Sequence, residues 1–403
     1  MKRIKIALLL ASMDSGGIEK AAVSLLRALP EAEFDVHLIL NRKKGVFLKL
    51  VPDWVRISEL CKSEKYNKRV ELGDRKWLVY SLAHLDLASV FNAITHFVYS
   101  KFATLDKAIM CRIKQLSKEV KYSDEQYDFV LAYSNNEQLY QAVNFYKTKK
   151  VVTWLHRDID LEREYTPDYA FLYEKCHKIF GVSQKVVDDF VRCLPQMAGR
   201  TSLHYNIIDQ MLGMDLARAY QVKRPQKKWW LVTVGRLTEI KGIDVIPEVA
   251  LKLKNSGIDF VWSVVGKGYL YPVLKKKIKE YSLEDNVVFE GEKENPYPYY
   301  SGCDIYVQPS RTEGYCISLA EARMFYKPVV VTDFSGAREQ LADGDYGKIV
   351  QFGVDTIAEG IIEVIDNPEL RTHYKESLSK QKIDTTDTID VLVNYFKTAL
   401  DEG

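Results

Sequence analysis

The sequence lacks the marks of several protein classes. Nothing in its 403 residues reaches the roughly 18 uninterrupted apolar residues that a membrane-spanning helix needs. Its 6 cysteines include no C-x-x-C pair, and neither they nor the 7 histidines have metal-ligand spacing. These absences favour a reduced cytoplasmic protein that needs no metal.

The net charge is only +2, from 57 basic and 55 acidic side chains, but it is unevenly distributed. Residues 1–200 carry 32 basic and 25 acidic side chains, so the first half is the basic half. Within it, residues 61–120 combine 11 basic and 6 acidic side chains with several aromatic ones. Such a region predicts peripheral contact with an anionic membrane, with ordinary core helices and solvated lysines as the alternative. Because no nucleic-acid recognition motif accompanies the charge, we expect no nucleic-acid partner.

Apolar runs of strand length alternate with helical patterns along most of the chain. Continuous apolar strands separated by helices predict an α/β protein with parallel sheets covered on both faces. We interpret the first run, Ile4–Leu10, as a strand and not a secretory signal, because it is short and leads directly into a Gly-Gly loop. The predicted strands cover 4–10, 34–40, 129–133, 151–155, 178–182, 229–234, 259–265, 287–290, 305–308 and 329–332.

The pattern of strands and helices weakens near residue 203 and resumes after the polar, proline-containing segment QVKRPQKK. We therefore predict two Rossmann-like, doubly wound domains, 1–208 and 209–385, and expect the last amphipathic stretch, 386–403, to pack back onto the first. Ligands of such sheets bind beyond the carboxyl ends of the strands. Two such edges that face each other would form a cleft.

Two glutamates, Glu313 and Glu321, stand eight residues apart between two predicted strands. Glu313 follows a strand in a loop made tight by Gly314, whereas Glu321 falls inside a helical pattern. Eight helical residues would advance about 12 Å, which fits poorly with two glycosidase carboxyl groups that face each other across one bond. The pair fits better an extended ligand with hydroxyls at both ends and phosphate between them, resting on a helix N-terminus. A nucleotide sugar has this form.

Transfer of a sugar from a nucleoside diphosphate leaves negative charge on the departing phosphates, so the site must supply positive charge. Arg236 and Lys241, five residues apart after a predicted strand, could converge on one anion. Surface salt bridges at a helix start are the alternative. Gly16 and Gly17 would let the backbone of the first domain approach the phosphates, although a Gly-Gly pair can also be only a tight turn. The backbone amides that begin the next helix would add an anion site: Tyr315, Cys316, Ile317 and Ser318.

The segment around the two glutamates, PSR-x-EG before and EA-x(4)-KPVV after, resembles the nucleotide-binding motif of retaining glycosyltransferases of family 4 (glycosyl transferases group 1). VGRLTEIKGID resembles the diphosphate-binding segment of that family, SMDSGGIEKAA its glycine loop, and WLHRDID a segment of its capsular and exopolysaccharide members. The sequence departs from the family at Cys316, where glycine or proline is usual, and at Phe325-Tyr326, where Cys-Gly is common. The resemblance implies the GT-B fold, two facing Rossmann-like domains with a cleft between them.

The resemblance also implies roles for individual residues. Glu321 would accept hydrogen bonds from the ribose, and Glu313 would face the sugar being transferred. His156, which follows a predicted strand, would touch that sugar or the leaving oxygen, and Asp158 would orient His156 or bind the acceptor. Backbone positions around three glycines would help to hold the sugar donor: Gly235, Gly291 and Gly314.

Together with the resemblance, these residues predict a metal-independent hexosyltransferase that uses a UDP- or GDP-sugar, with UDP favoured, and no tightly bound cofactor. The resemblance implies retention of anomeric configuration, a glycan or lipid-linked acceptor of bacterial surface polysaccharide synthesis, and a location at the inner face of the plasma membrane. Acceptor choice is expected to lie in residues 45–125, which match no family landmark. A non-catalytic GT-B partner subunit is the alternative, although such a protein need not keep the charged residues. A phosphorylase of the same fold would need a pyridoxal-binding lysine, and no segment of the second domain indicates one.

Overall fold

The computed structural model describes residues 2–14, 16–60, 79, 80, 90, 94, 114, 120, 124–134, 136–148, 150–156 and 167–401. Within them lie the strands β1 Ile4–Leu10, β2 Phe34–Leu40, β3 Arg56–Glu59, β4 Phe129–Ala132, β5 Val151–Leu155, β6 Cys176–Gly181, β7 Thr201–Leu203, β8 Trp229–Val234, β9 Phe260–Val265, β10 Val287–Gly291, β11 Ile305–Gln308, β12 Val329–Thr332 and β13 Lys348–Val350.

The helices within the same residues are α1 Gly17–Ala28, α2 Asn136–Phe145, α3 Pro167–Glu174, α4 Gln184–Cys193, α5 Gln210–Arg218, α6 Ile246–Asn255, α7 Tyr271–Glu280, α8 Tyr297–Gly302, α9 Ile317–Arg323, α10 Ala337–Leu341, α11 Val354–Asp366, α12 Pro368–Ser379 and α13 Ile389–Asp401.

The strands form two parallel sheets with the same topology. The first has the order β3-β2-β1-β4-β5-β6-β7, and the second has the order β10-β9-β8-β11-β12-β13. In each sheet the order reverses beside the first strand, which is the doubly wound arrangement of Rossmann-like domains. Strand residues such as those of β4 and β9 are buried in succession, because helices cover both faces. The predicted pair of parallel sheets is confirmed, and the exact boundary after residue 208 stays a prediction.

The reversal of strand order fixes where the functional loops lie. In a doubly wound sheet, a crevice opens at the carboxyl ends of the two strands where the order reverses. These strands are β1 and β4 in the first sheet and β8 and β11 in the second. The glycine loop follows β1, Arg236 follows β8, and Glu313 follows β11. The topology therefore places these loops at two crevices.

The C-terminal helix α13 packs against the first sheet. The ring of Phe396, which is fully buried, lies 4.9 Å from that of Phe129 and 5.9 Å from that of Phe34. Lys150 donates a hydrogen bond to the carbonyl of Ala399. The chain thus returns from the second sheet to cover the first.

The two segments that connect the halves of the molecule are bonded to each other. The backbone amide of Ile208 donates to Thr385 Oγ1 at 2.8 Å, and the amide of Thr385 donates to the carbonyl of Ile208 at 3.0 Å. The segment that leaves the first half, at Ile208, and the segment that returns to it, at Thr385, therefore run side by side between the two halves.

Across the described residues, no helix combines the length and the apolar character that a bilayer crossing requires. Most of the basic, aromatic region 61–120 lies outside the described residues, so its predicted contact with a membrane stays a prediction.

Phe396→Ala should lower the free energy of unfolding by about 3–5 kcal/mol, because it removes a ring from a filled site between α13 and the first sheet. Urea unfolding followed by circular dichroism would measure this change. Val391→Ala lies on the same helix at a position that is 59% exposed, and it should change stability by less than about 0.5 kcal/mol. Equal effects of the two substitutions would mean that α13 does not cover the sheet in solution.

Candidate active site

Glu313 lies in the loop after β11, where its carboxylate is buried and fully engaged. Lys241 Nζ lies 2.6 Å from both carboxylate oxygens, and Ser310 Oγ donates to Oε1 at 2.8 Å. The loop itself is held against the loop after β8, since the amide of Arg311 donates to the carbonyl of Ile240 at 2.9 Å. Lys241 and Glu313 thus form an ion pair between the two loops.

Glu321 lies on α9 and is only 3% exposed, so it is not a solvated helix acid. Tyr297 donates a hydrogen bond to its Oε1 at 3.1 Å, and Tyr300 donates to its Oε2 at 2.8 Å. Lys20, from α1 of the other half of the molecule, forms an ion pair with Oε1. Burial, followed by the charge of Glu321, raises the pKa of both tyrosines well above its usual value, so both hydroxyls keep their protons and donate.

The two predicted phosphate-binding cations occupy different environments. Lys241 is bound to Glu313, whereas Arg236 is exposed and interacts electrostatically with Glu19 of α1. Burial is the larger influence on Glu19 and raises its pKa, with the charge of Arg236 acting against it. Each cation is therefore matched to a different acid, Lys241 to Glu313 and Arg236 to Glu19.

The glycine loop of the first half faces α9 of the second half. A Cβ atom added to Gly17 would lie 3.7 Å from Ile317 Cδ1. Gly16 has an extended backbone, with φ at −154°, and a Cβ atom there would collide with the carboxylate of Glu19. The loop thus lies next to the other half, and the predicted approach of its backbone to the phosphates stays a prediction.

His156 directly follows β5, as predicted, and is held as a neutral imidazole. Its ring packs edge-on against Tyr133 at 4.8 Å, and it forms a hydrogen bond with the Tyr133 backbone. Burial lowers the pKa of His156 to about 3. Its Nε2 is buried without a hydrogen-bond partner in the part of the chain that the structure describes. Asp158, the predicted acceptor residue, lies outside the described residues.

Both departures from the family pattern occupy left-handed backbone. Cys316, the N-cap of α9, has φ at +70°, and Tyr326, just beyond the end of α9, has φ at +53°. Non-glycine residues adopt this region only with strain. The carbonyls of Tyr315 and Cys316 accept hydrogen bonds from the side chain of Gln340, which supports the turn. The predicted backbone position Gly291 also has a positive φ, at +73°.

The remaining predicted backbone positions lie near these contacts. A Cβ atom on Gly235 would lie 4.0 Å from the side chain of Lys241. A Cβ atom added to Gly336 would lie 3.2 Å from the carbonyl oxygen of Gly314. Ile317 and Ser318 begin α9, and Ser318 Oγ donates to Gln308 Oε1 at 3.2 Å.

Several residues of the site were not given a role by the sequence. Lys20 stands inside the glycine-loop motif itself, but the motif does not indicate that it reaches Glu321. Tyr297 and Tyr300 are three residues apart on α8, so they lie on one face of the helix. This spacing is the feature of the sequence that could have indicated a shared contact.

A second contact between the halves was also missed. Glu339 on α10 accepts hydrogen bonds from the backbone amides of Gln184 and Lys185, at 3.1 and 3.2 Å, at the start of α4. It also accepts one from the Tyr205 hydroxyl at 3.2 Å. The carboxylate thus lies at the positive end of a helix from the other half of the molecule.

Among the described residues, no group of three or more His, Cys, Asp or Glu side chains could hold a metal ion. The sequence contains two Asp-x-Asp triplets. In one, Asp343 pairs with Arg338 and Asp345 with His373. The other, 158–160, lies outside the described residues, and metal independence stays a prediction.

Comparison with known proteins shows which proteins this chain is similar to. Residues 219–381 match the family model "Glycosyl transferases group 1". A protein of Campylobacter jejuni named "N-acetylgalactosamine-N,N'-diacetylbacillosaminyl-diphospho-undecaprenol 4-alpha-N-acetylgalactosaminyltransferase" is 24% identical, over 98% of this chain and 99% of its own length. The "Putative colanic acid biosynthesis glycosyltransferase WcaL" of Escherichia coli is 29% identical, over 50% of this chain and 51% of its own length.

Solved structures agree with the fold. The crystal structure of HepE from Anabaena, in complex with UDP and glucose, has a TM-score of 0.72 at 16% identity and covers 98% of this chain and 100% of its own. A sucrose-phosphate synthase from Thermosynechococcus elongatus has a TM-score of 0.69 at 16% identity, over the whole of both chains. The protein has the GT-B fold, and its second half carries a region that matches the glycosyl transferases group 1 family.

Cys316→Gly should be more stable than Cys316→Ala by about 1 kcal/mol, because both lose the thiol but only glycine adopts a φ of +70° without strain. Thermal or urea unfolding of the two variants would measure the difference. Cys303 is the matched control, since it is also buried but has φ at −69°. There the order should reverse, with the alanine variant more stable by about 0.5–1 kcal/mol. The same order at both positions would exclude the left-handed turn at Cys316.

Wild-type protein should lose stability relative to His156→Gln as the pH falls from 7.5 to 5. The unfolded imidazole binds a proton near pH 6.5, whereas the folded one stays neutral until about pH 3. The contribution of the neutral ring is therefore fully present above pH 6.5 and declines by up to about 1.4 kcal/mol per unit below it. Urea unfolding at several pH values would measure the difference in stability between the two proteins. The contributions of all other titrating groups cancel in this difference, because both proteins contain them. A constant difference would contradict a buried, neutral His156.

Proposed function

We propose that the protein transfers a hexosyl group from a UDP-sugar to a glycan or lipid-linked acceptor, with retention of anomeric configuration. The observation that carries this proposal is the position of the two motif acids. Glu313 and Glu321 are both buried, and each is bound by a lysine and by hydroxyl groups. Both follow β11, one of the two strands between which the order of the second sheet reverses. Ligands of doubly wound sheets bind at this point.

The choice of a nucleotide sugar is supported by the charges and by the neighbours. Arg236 and Lys241 stand in the loop after β8, where they can meet the phosphates. HepE, which shares the fold, was crystallised with UDP-glucose as well as with UDP and glucose. Glu321, held by two tyrosine hydroxyls, supplies a carboxylate for the ribose. We favour UDP over GDP on this basis.

The chemistry requires charge stabilisation more than a dedicated base. As the bond between the anomeric carbon and the phosphate oxygen breaks, negative charge grows on the diphosphate, and Arg236 and Lys241 stabilise it. The carboxylate of Glu313 lies beside Lys241 and would face the sugar as it becomes positively charged. The neutral His156 can accept a hydrogen bond from a sugar hydroxyl through its Nε2, which has no hydrogen-bond partner among the described residues. In a front-face attack, the leaving phosphate takes the proton of the acceptor hydroxyl, so that no further base is needed.

We propose an acceptor from surface polysaccharide or lipid-linked glycan synthesis, reached at the inner face of the plasma membrane. The full-length Campylobacter relative carries diphospho-undecaprenol in its name, and WcaL carries colanic acid in its name. The basic residues of the first half, concentrated in 61–120, would contact the anionic leaflet. Asp158 and residues 45–125 would contribute to acceptor choice.

A screen of UDP- and GDP-sugars, with and without Mg²⁺, should raise the melting temperature with one nucleotide class, irrespective of metal. Ligand at 100 times its Kd stabilises the native state by about 2.7 kcal/mol. Lys241→Ala should lose the shift, because the phosphates lose a positive charge. Differential scanning fluorimetry would measure these shifts, and release of UDP from the donor that binds would report slow hydrolysis.

Lys252→Ala is the matched control. Lys252 also forms a lysine–carboxylate pair in the second half, with Asp355, but at an exposed position on α6. This variant should retain the wild-type shift. A shift that depends on Mg²⁺ would contradict metal independence, and no shift with any sugar donor would favour the non-catalytic partner.

A further inference from the structure

Lys20 and Glu321 form an ion pair that joins the two halves of the molecule across the cleft. Lys20 lies in the first turn of α1, three residues after Gly17, and Glu321 lies on α9. The side chains are 17% and 4% exposed, so the pair is largely removed from water. The ammonium also lies 4.2 Å from the centre of the Tyr297 ring, a cation–π contact.

In this state, Glu321 has little capacity left for a ligand. A carboxylate offers about four hydrogen-bond acceptor positions. Lys20 and Tyr297 engage Oε1, and Tyr300 engages Oε2. The two hydroxyls of a ribose need two positions. The tyrosines belong to the same half as Glu321, whereas Lys20 comes from the opposite half and has a flexible stem. Lys20 is therefore the partner that can leave.

We propose that Lys20 is a positioning residue that exchanges partners when the sugar donor binds, an inference that rests on the proposed function. The ribose hydroxyls replace Lys20 at Glu321, and the released ammonium turns to the diphosphate of the same ligand. The ribose thus takes the place of Lys20 at the Glu321 carboxylate. Through Lys20, the first half of the molecule gains a direct charge contact with the donor.

Charge balance favours exchange over simple departure. Removing one partner from a buried ion pair leaves an uncompensated charge, which is strongly destabilising. A diphosphate next to Glu321 adds further negative charge at the same place. A lysine is a point charge on a four-carbon stem, so Lys20 can leave direct contact with Glu321 and still lie near both anions. Its position beside the glycine loop, which faces α9, keeps it within the cleft.

The exchange predicts that Lys20 opposes binding of a nucleoside and favours binding of its diphosphate. Uridine has the ribose but no anion to receive the released ammonium, whereas UDP has both. In Lys20→Met, uridine should bind about tenfold more tightly and UDP about tenfold more weakly. The ratio of the uridine Kd to the UDP Kd should therefore fall about 100-fold. Isothermal titration calorimetry would measure both constants, with guanosine and GDP as a second pair.

Two further variants make the result specific. Lys20→Arg keeps the charge and should keep the ratio within a few-fold of the wild-type value. Lys49→Met removes another lysine that pairs across the cleft, with Glu294, but at an exposed position, and it should leave the ratio unchanged.

The outcomes separate the exchange from its alternatives. If Lys20 only stabilises the fold, Lys20→Met weakens both ligands by the same factor. If Lys20 only obstructs the ribose, the substitution strengthens both. Either result leaves the ratio constant and overturns the exchange. Failure of the wild type to bind any of the four ligands would instead overturn the proposed function.

Discussion

A parallel sheet has the carboxyl ends of all its strands at one edge, and this protein has two such sheets with the same strand order. Every feature of the site depends on that constraint. The reversal of order opens a crevice beside β1 in one sheet and beside β8 in the other. The helices that follow the loops after β1 and β11, α1 and α9, are in contact through Lys20 with Glu321 and through Gly17 beside Ile317. A ligand that spans both crevices meets a cation, an acid and a glycine loop in succession.

The two acids of the motif are charge-compensated by lysines of the same protein. Each acid of the motif has its own lysine, Lys241 for Glu313 and Lys20 for Glu321, and each pair is largely buried. Isolated buried charges would be costly, and these pairs avoid that cost. Binding of a polyanion then requires these pairs to rearrange. Under the proposed function, the affinity for a nucleotide sugar would equal the free energy of the new contacts minus that of the pairs they replace. Substitution of a paired lysine would then affect neutral and charged ligands differently.

The C-terminal helix α13 and the segment before it connect the second half of the molecule to the first. The segment after α12 crosses beside Ile208, and α13 covers the first sheet through Phe396. Both halves are thus connected by two adjacent crossings and by contacts at the cleft, such as Glu339 with the start of α4. A movement of one half relative to the other would bend the two crossings together and change the contacts at the cleft.

The sequence by itself determined ten of the thirteen strands that the structure describes, and it missed the short strands β3, β7 and β13. It also determined the two parallel sheets and the placement of Glu313 on a loop and Glu321 on a helix, because these follow from local hydrophobic period and short motifs. His156 after β5 was predicted for the same reason. Only the tertiary structure decided that Lys20 reaches Glu321, that Tyr297 and Tyr300 hold it, and that Cys316 adopts a left-handed turn. The contact between Lys20 and Glu321 joins residues about 300 positions apart and depends on how the two halves meet, which no local pattern encodes. The tyrosine contacts and the turn at Cys316 depend on how α8, α9 and the loop before α9 pack together, which the helical period alone does not fix.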